Sequence, residues 1–225
     1  MKNKKLFSNV LKMLLAFTIF YFSDIIPRLL FKLVHISNNT INLITSYIFM
    51  SVLLILLYRK ELITEWKNFK SKLGANFDIT FKYYIIGFFG MIIINFILIF
   101  LLNLGKAQNE QKVQGMIQSF PLLMLISAGL FAPITEEITF RTSLKQVFKN
   151  KWIFAIVSGI LFGSAHVITY KFKTPLEILY ILPYGLLGAS FALMDHETDS
   201  TFSSIFAHMF HNTFITLFSI LKVLL

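Results

Sequence analysis

Cysteine is absent from all 225 residues. That absence excludes disulfides, thiolate nucleophiles and Cys-ligated zinc together. Charge is scarce as well, at 14% of the chain, against about 25% in a typical soluble domain. Acidic side chains are the scarcer sign, with 11 Asp and Glu against 21 Lys and Arg. No internal repeat and no low-complexity linker interrupts the sequence, so one integral domain over 1–225 is expected. What the chain has in abundance is apolar: 56% hydrophobic residues, 26 Phe, and a mean hydropathy of +0.71. A water-soluble core of this size cannot enclose so much apolar surface, so the composition calls for a bilayer as solvent. The formal charge of +10 is compatible with nucleic acid. In membrane proteins, however, Lys and Arg collect on cytoplasmic loops and meet anionic lipid. The sequence therefore points to the lipid bilayer as a partner and to no nucleic acid. Abundant Phe, Ile, Lys and Asn suggest AT-rich codons, as in a low-GC bacterium.

A helix crossing the hydrocarbon core needs about 20 mostly apolar residues. Seven stretches qualify: 11–33, 40–58, 83–104, 120–146, 152–171, 175–194 and 201–224. The fold class expected is all-α, a polytopic transmembrane helical bundle of about seven spans. In the first span, Asp24, Pro27, Arg28 and Lys32 crowd the second half. It reads either as a kinked span or as a span followed by an interfacial helix. "MKNKK" plus an apolar run also opens a signal peptide, but no small-x-small cleavage site follows, so the segment is read as mature protein. Residues 59–78, polar and basic with Trp66 and Phe69, read as a cytoplasmic loop with an amphipathic surface stretch. Residues 106–119 read as an outer loop rather than a lid. With the N-terminus inside, eleven Lys and Arg (in 2–5, 59–72 and 145–151) fall on the inner side, against five (in 106–112, in 171–173 and at 222) outside. The positive-inside rule then places the N-terminus in the cytoplasm and the C-terminus outside. The acidic inner loop 195–200 weighs little in that rule.

Ionisable groups within spans are costly, at least ~2.5–3.5 kcal/mol each near the bilayer centre, and are functional candidates by default. "PITEEITFRTSL" (133–144) puts Glu136, Glu137 and Arg141 in the fourth span; the fifth carries His166; the seventh carries His208, His211 and Asn212. Glu137 and Arg141 are four residues apart and share a helical face. Glu136 points about 100° away from Glu137, free to face a cavity unpaired. An unpaired carboxylate in an apolar, partly wet site suits a general base. His208 and Asn212 repeat the four-residue spacing, and His166 shares a face with Phe162. The three polar faces can meet at one depth.

Each residue has a plain structural reading too. The Glu137–Arg141 pair would fix helix packing, a lone His166 would bond a neighbouring carbonyl, and His208 or Asn212 would act as interhelical glue. Phe162 reads as packing. His211 is one turn from His208 and has the weaker claim on a site. His35 and His196, near span ends, read as solvated. Taken together, Glu136, His166, His208 and Asn212 fit the structural readings poorly.

The same residues stand in a recognisable pattern. "EEITFR" (136–141) resembles the EExxxR motif of the CPBP intramembrane proteases, also called the CAAX protease and bacteriocin-processing or Abi family. "FGSAH" (162–166) resembles its FxxxH motif and "HMFHN" (208–212) its HxxxN/B motif. Three short motifs in order, all inside spans, make a strong signal over 120–215. The first three spans match only in being hydrophobic. The resemblance implies N-terminal spans over 1–119 and motif-bearing catalytic helices over 120–225, with a catalytic cavity inside the bilayer. It implies an endopeptidase acting on a peptide or protein substrate at the membrane, of CAAX type or in bacteriocin or pheromone processing or self-immunity. By motif position Glu136 would activate water with His166, while His208 and Asn212 would hold the oxyanion; Glu137, Arg141 and Phe162 would support them. No Ser–His–Asp constellation lies in the spans, and Ser164 is off the face of His166, so direct attack by water is the economical chemistry. The favoured mechanism has no metal or other cofactor. The alternative is a zinc held by Glu136, His166 and His208, although HExxH is absent. Two other functions remain open. One is a non-catalytic membrane regulator or immunity protein that binds a peptide or sensor partner. The other is a proton-coupled transporter, which should show related halves, whereas the polar residues here crowd the C-terminal half.

Overall fold

The computed structural model describes residues 2–35 and 39–224, and among them there are helices and connections but no strand. Helix α1 covers Lys2–Phe22, α2 Ile25–Leu33, α3 Asn39–Ser71 and α4 Leu73–Phe96. Helix α5 covers Gln108–Ser119, α6 Pro121–Ile126, α7 Ala132–Glu137 and α8 Ser143–Val147; α9 covers Lys151–Val167, α10 Ile181–Thr198 and α11 Thr201–Leu224. Among the described residues, six stretches are long and apolar enough to cross a membrane: Asn3–Phe22, Ile41–Ser71, Leu73–Leu101, Pro121–Val147, Pro175–Thr198 and Thr201–Lys222. The shorter apolar α9 is about 26 Å long at 1.5 Å per residue, a little under the ~30 Å hydrocarbon core, and brings the total to about seven. The bundle has the about-seven-span, all-α, multi-pass membrane architecture that the sequence predicts. Its outer face carries large apolar side chains such as Ile156, Ile160, Phe210, Phe214 and Phe218, a distribution that lipid stabilises and water would not.

Several boundaries differ from the sequence reading, each for a physical reason. The first passage ends at Phe22; the chain turns at Ser23 and Asp24 and restarts as α2, so 11–33 is not one continuous span. Pro27 falls in the first turn of α2, where a missing N–H does no harm. Residues 59–71 are not a loop. Helix α3 runs through them with one non-helical residue, Tyr58 (φ −109°, ψ 16°), so the apolar run stops where the helix kinks. Residues 108–119 are likewise helical, as α5. The segment 152–171 shortens to α9, and 175–194 begins with a 3₁₀ turn (Pro175–Tyr180) and extends to Thr198.

Lys145, counted above among the loop cations, lies in α8 with its side chain 11% exposed. It sits 2.8 Å from Glu65 and also pairs with Asp195. The Thr201 amide donates to Glu65 at 3.1 Å and the Thr201 hydroxyl to Asp195 at 2.7 Å. This network ties α3, α8, α10 and α11 together at one end of the bundle. At its centre, α9 and α10 approach closely because Gly159 and Gly163 face the α10 backbone: a Cβ on either would lie 2.5 Å from a carbonyl oxygen of Gly185 or Ile181. Small residues four apart permit such contact between membrane helices, and here they place Phe162 and His166 in the interior.

Candidate active site

The fourth passage is an interrupted helix. Pro133 lacks the N–H that an uninterrupted helix requires and would crowd the preceding turn. The strain is absorbed by a π-helical stretch, Ser127–Phe131, and a second one, Ile138–Thr142, follows the two glutamates. Such wide turns are frequent at functional sites. The Ala132 amide bonds to the Ser127 carbonyl, so in that register the next carbonyl, Ala128, faces Pro133 and has no backbone donor. Asn212 supplies one, its Nδ2 donating to Ala128 O at 2.8 Å.

Between the two wide turns stand Glu136 and Glu137. Glu137 is fully buried, its Oε2 3.0 Å from Arg141 Nε and its Oε1 2.8 Å from His208 Nδ1. Arg141 is also fully buried, with its guanidinium 4.6 Å from the Phe162 ring centroid and 5.6 Å from that of Phe191. Its terminal nitrogens have no hydrogen-bond partner among the described residues, so the two aromatic faces are what receives them. Desolvated cation–π contacts of this kind contribute about 2 kcal/mol. Phe162 is therefore more than filler: it holds the arginine that holds Glu137.

Glu136 differs. Its side chain is 14% exposed, and its buried Oε2 has no hydrogen-bond partner among the described residues. Two imidazoles face that oxygen, His166 Nε2 at 3.9 Å and His208 Nε2 at 3.7 Å. His166 Nδ1 lies 2.9 Å from the Phe162 carbonyl, which can only accept, so Nδ1 carries the proton and Nε2 is left to the site. The Glu137 carboxylate likewise accepts a hydrogen bond from His208 Nδ1. Both rings thus present Nε2 to Glu136, at separations too long for a direct hydrogen bond and suited to one bridging water.

The group opens on a cavity of ≈ 420 Å³ lined by Glu136, His166, His208 and Asn212. All four residues named from the sequence meet there, and Phe162 lines it too. His211 also reaches this wall, with its Nδ1 3.3 Å from the Tyr84 hydroxyl. Of the two remaining histidines, His35 is exposed and His196 partly buried. Sequence reasoning missed Tyr184, stacked on His166 at 4.9 Å and 21°, and Tyr47, which shares the wall with Glu136. It also missed Asn109 of α5, which accepts from Tyr170 at 3.0 Å. No periodicity flags an aromatic in an apolar span. The zinc alternative needs Glu136, His166 and His208 to converge on one point, but among the described residues no group of three His, Asp or Glu side chains is disposed to hold a metal ion.

Fold and site together define an all-α, multi-pass membrane protein with a polar centre inside its bundle. The family model described as "Type II CAAX prenyl endopeptidase Rce1-like" matches residues 118–214, the stretch that carries all three motifs. The resemblance to the CPBP, or CAAX protease, family is thereby shown. The Bacillus subtilis protein named "Putative membrane peptidase YdiL" is 30% identical over 115 residues, covering 50% of this chain and 43% of that protein. An "Uncharacterized protein" of Mycoplasma capricolum is 30% identical over 156 residues, 65% of this chain and 45% of its own. The "UPF0177 protein YaiH" of Lactococcus lactis is 34% identical over 96 residues, 43% of this chain and 37% of its own. The matched stretches thus span less than half the length of each relative. No solved structure matches the chain.

Proposed function

We propose that the protein is an intramembrane endopeptidase in which Glu136 activates water against a peptide bond of a membrane-associated protein or small peptide precursor. The observation that carries this reading is the unpartnered Glu136 Oε2 facing two Nε2 atoms at 3.9 and 3.7 Å. A water between Glu136 and His166 gives its proton to Glu136 while its oxygen attacks the scissile carbonyl carbon. The negative charge that forms on the carbonyl oxygen is met by the second amide hydrogen of Asn212 and by His208. His208 Nδ1 is held by Glu137, so the ring meets the oxyanion through Nε2, as a donor when that nitrogen carries a proton. A donor of this kind contributes ~2.7–4 kcal/mol at an oxyanion. Collapse breaks the C–N bond as Glu136 returns its proton to the leaving amine, giving a carboxylic acid and an amine, which part as carboxylate and ammonium. Glu137, Arg141 and Phe162 position His208 rather than touch the substrate.

The same reading places the N-terminus in the cytoplasm of a bacterial cell membrane, in keeping with the basic inner ends of the helices. The cavity runs from Glu136 towards α5, through Asn109, Lys112 and Met116, which then lie on the outer side. That disposition favours peptides processed at the outer face, such as bacteriocin or pheromone precursors. The first test is cleavage of a fluorogenic peptide panel by the protein in liposomes, with and without a strong zinc chelator. The reading predicts cleavage that survives chelation. Cleavage abolished by chelator and restored by zinc would replace the mechanism. Peptide binding with no cleavage by any preparation would favour the regulator.

A further inference from the structure

A second cavity, of ≈ 670 Å³, lies on the far side of the site helices, between α3 and α11. Its floor is formed by Ile134 and Ile138, beside the two glutamates, and by Ile205 and Met209, which flank His208. Its wall is the kinked extension of α3, from Ile55 through Ile63 and Trp66. Trp66 packs against Phe202 at 4.9 Å and Phe69 at 5.9 Å, an aromatic cluster of the kind that marks a membrane–water boundary. Three cations line the groove: Arg59, Lys67 and Lys70.

Those cations differ from their neighbours in lacking acids. At this end of the bundle Glu61 pairs with Lys12, Glu65 and Asp195 with Lys145, and Glu197 with Lys151. Among the described residues no carboxylate pairs with Arg59, Lys67 or Lys70. The local positive charge is therefore uncompensated and stands beside an apolar trough. From Lys67 to Ile55 the helix spans about 18 Å, slightly more than the ~15 Å half-thickness of a hydrocarbon core. One acyl chain of a single leaflet fits that length.

We propose that the groove is a specific site for an anionic phospholipid. One acyl chain lies along Ile63, Ile138 and Met209, and the phosphate sits between Lys67 and Lys70, one turn apart on the Trp66 side. Arg59 lies deeper on the same groove, its flexible stem carrying the guanidinium towards the phosphate. A lipid seated there packs against the outer flank of the helices that carry Glu137 and His208. The site is independent of the hydrolytic reading, because its readout is bound lipid.

The test is native mass spectrometry of the purified full chain after equilibration with equimolar phosphatidylglycerol and phosphatidylcholine. The wild type is expected to retain one phosphatidylglycerol with a preference of at least about tenfold, given the contribution of each lysine near an anionic headgroup. Lys67→Gln with Lys70→Gln should bring the preference close to unity. Ile63→Trp, at an exposed groove position, should lower retention of both lipids with the cations intact. Lys4→Gln with Lys5→Gln should change nothing. A wild type without preference, a Lys67/Lys70 double variant that keeps it, or equal loss in the Lys4/Lys5 control would overturn the proposal. So would displacement of the lipid by inorganic phosphate alone, or preferential capture of an apolar peptide.

Discussion

Glu136 and Glu137 are adjacent in the chain and opposite in circumstance. Glu137 has Arg141 3.0 Å from one oxygen and His208 2.8 Å from the other, whereas Oε2 of Glu136 meets two imidazoles at the longer separations of 3.9 and 3.7 Å. Glu137→Gln strips the counter-charge from a fully buried guanidinium. Breaking a buried pair in this way costs about 3–5 kcal/mol, so thermal unfolding in detergent should shift clearly downward. Glu136→Gln removes only the two longer contacts to His166 and His208 and should shift the unfolding temperature far less. Equal shifts in the two variants would contradict the division between them. That division was legible in the sequence, because Glu137 and Arg141 stand at helical spacing and Glu136 points elsewhere. The link from His208 to Glu137 was not, since it joins residues 71 positions apart. Nor was the partnership of Phe162 with Arg141 visible, because aromatic side chains in an apolar span carry no periodic signature of their role.

At the scale of elements, the site depends on how closely α9 lies against α10. Gly163 meets the Ile181 carbonyl at 2.5 Å and the Gly185 nitrogen at 2.9 Å when a Cβ is placed on it. Gly163→Val should push α9 outward, lowering stability by about 1–3 kcal/mol through overpacking and carrying His166 away from Glu136. Gly74→Ala, where a Cβ meets nothing within 4 Å, is the control. Unfolding temperatures of both variants check the claim. Hydrophobic runs announced the spans well, but they marked where apolar composition ends and not where helices end. Helix α3 therefore continued past Tyr58, and α5 formed where a loop was expected. The wide turns around Pro133 had one sequence signal, a proline inside a span. Which backbone register would absorb it depends on Asn212 reaching across from α11.

For the whole molecule, the proposed orientation rests on where the cations gather. Lys145 drops out of the exposed count, being buried between Glu65 and Asp195, yet the cations of 2–5 and 59–72 stay at one end. The chain has no cysteine, so single introduced thiols report the side directly. Lys112→Cys on α5 should react with a membrane-impermeant maleimide in intact cells. Lys67→Cys should react only after permeabilisation. The reverse pattern would turn the cavity to the cytoplasm and, with it, the choice of substrate. Global architecture was the most legible level, because bilayer thickness sets span length whatever the detail inside. The network that locks α3, α8, α10 and α11 was hidden, since Glu65, Lys145 and Asp195 read singly as loop charges.

The most direct measurement of the central claim is kcat for a cleaved peptide in liposomes, comparing the wild type with Glu136→Gln at matched unfolding temperature. Loss of a general base should lower kcat by about 10²–10⁴-fold, with peptide affinity unchanged. A Glu136→Gln protein that is folded, binds the peptide and cleaves it at the wild-type rate would contradict the assignment of Glu136 as the group that activates water.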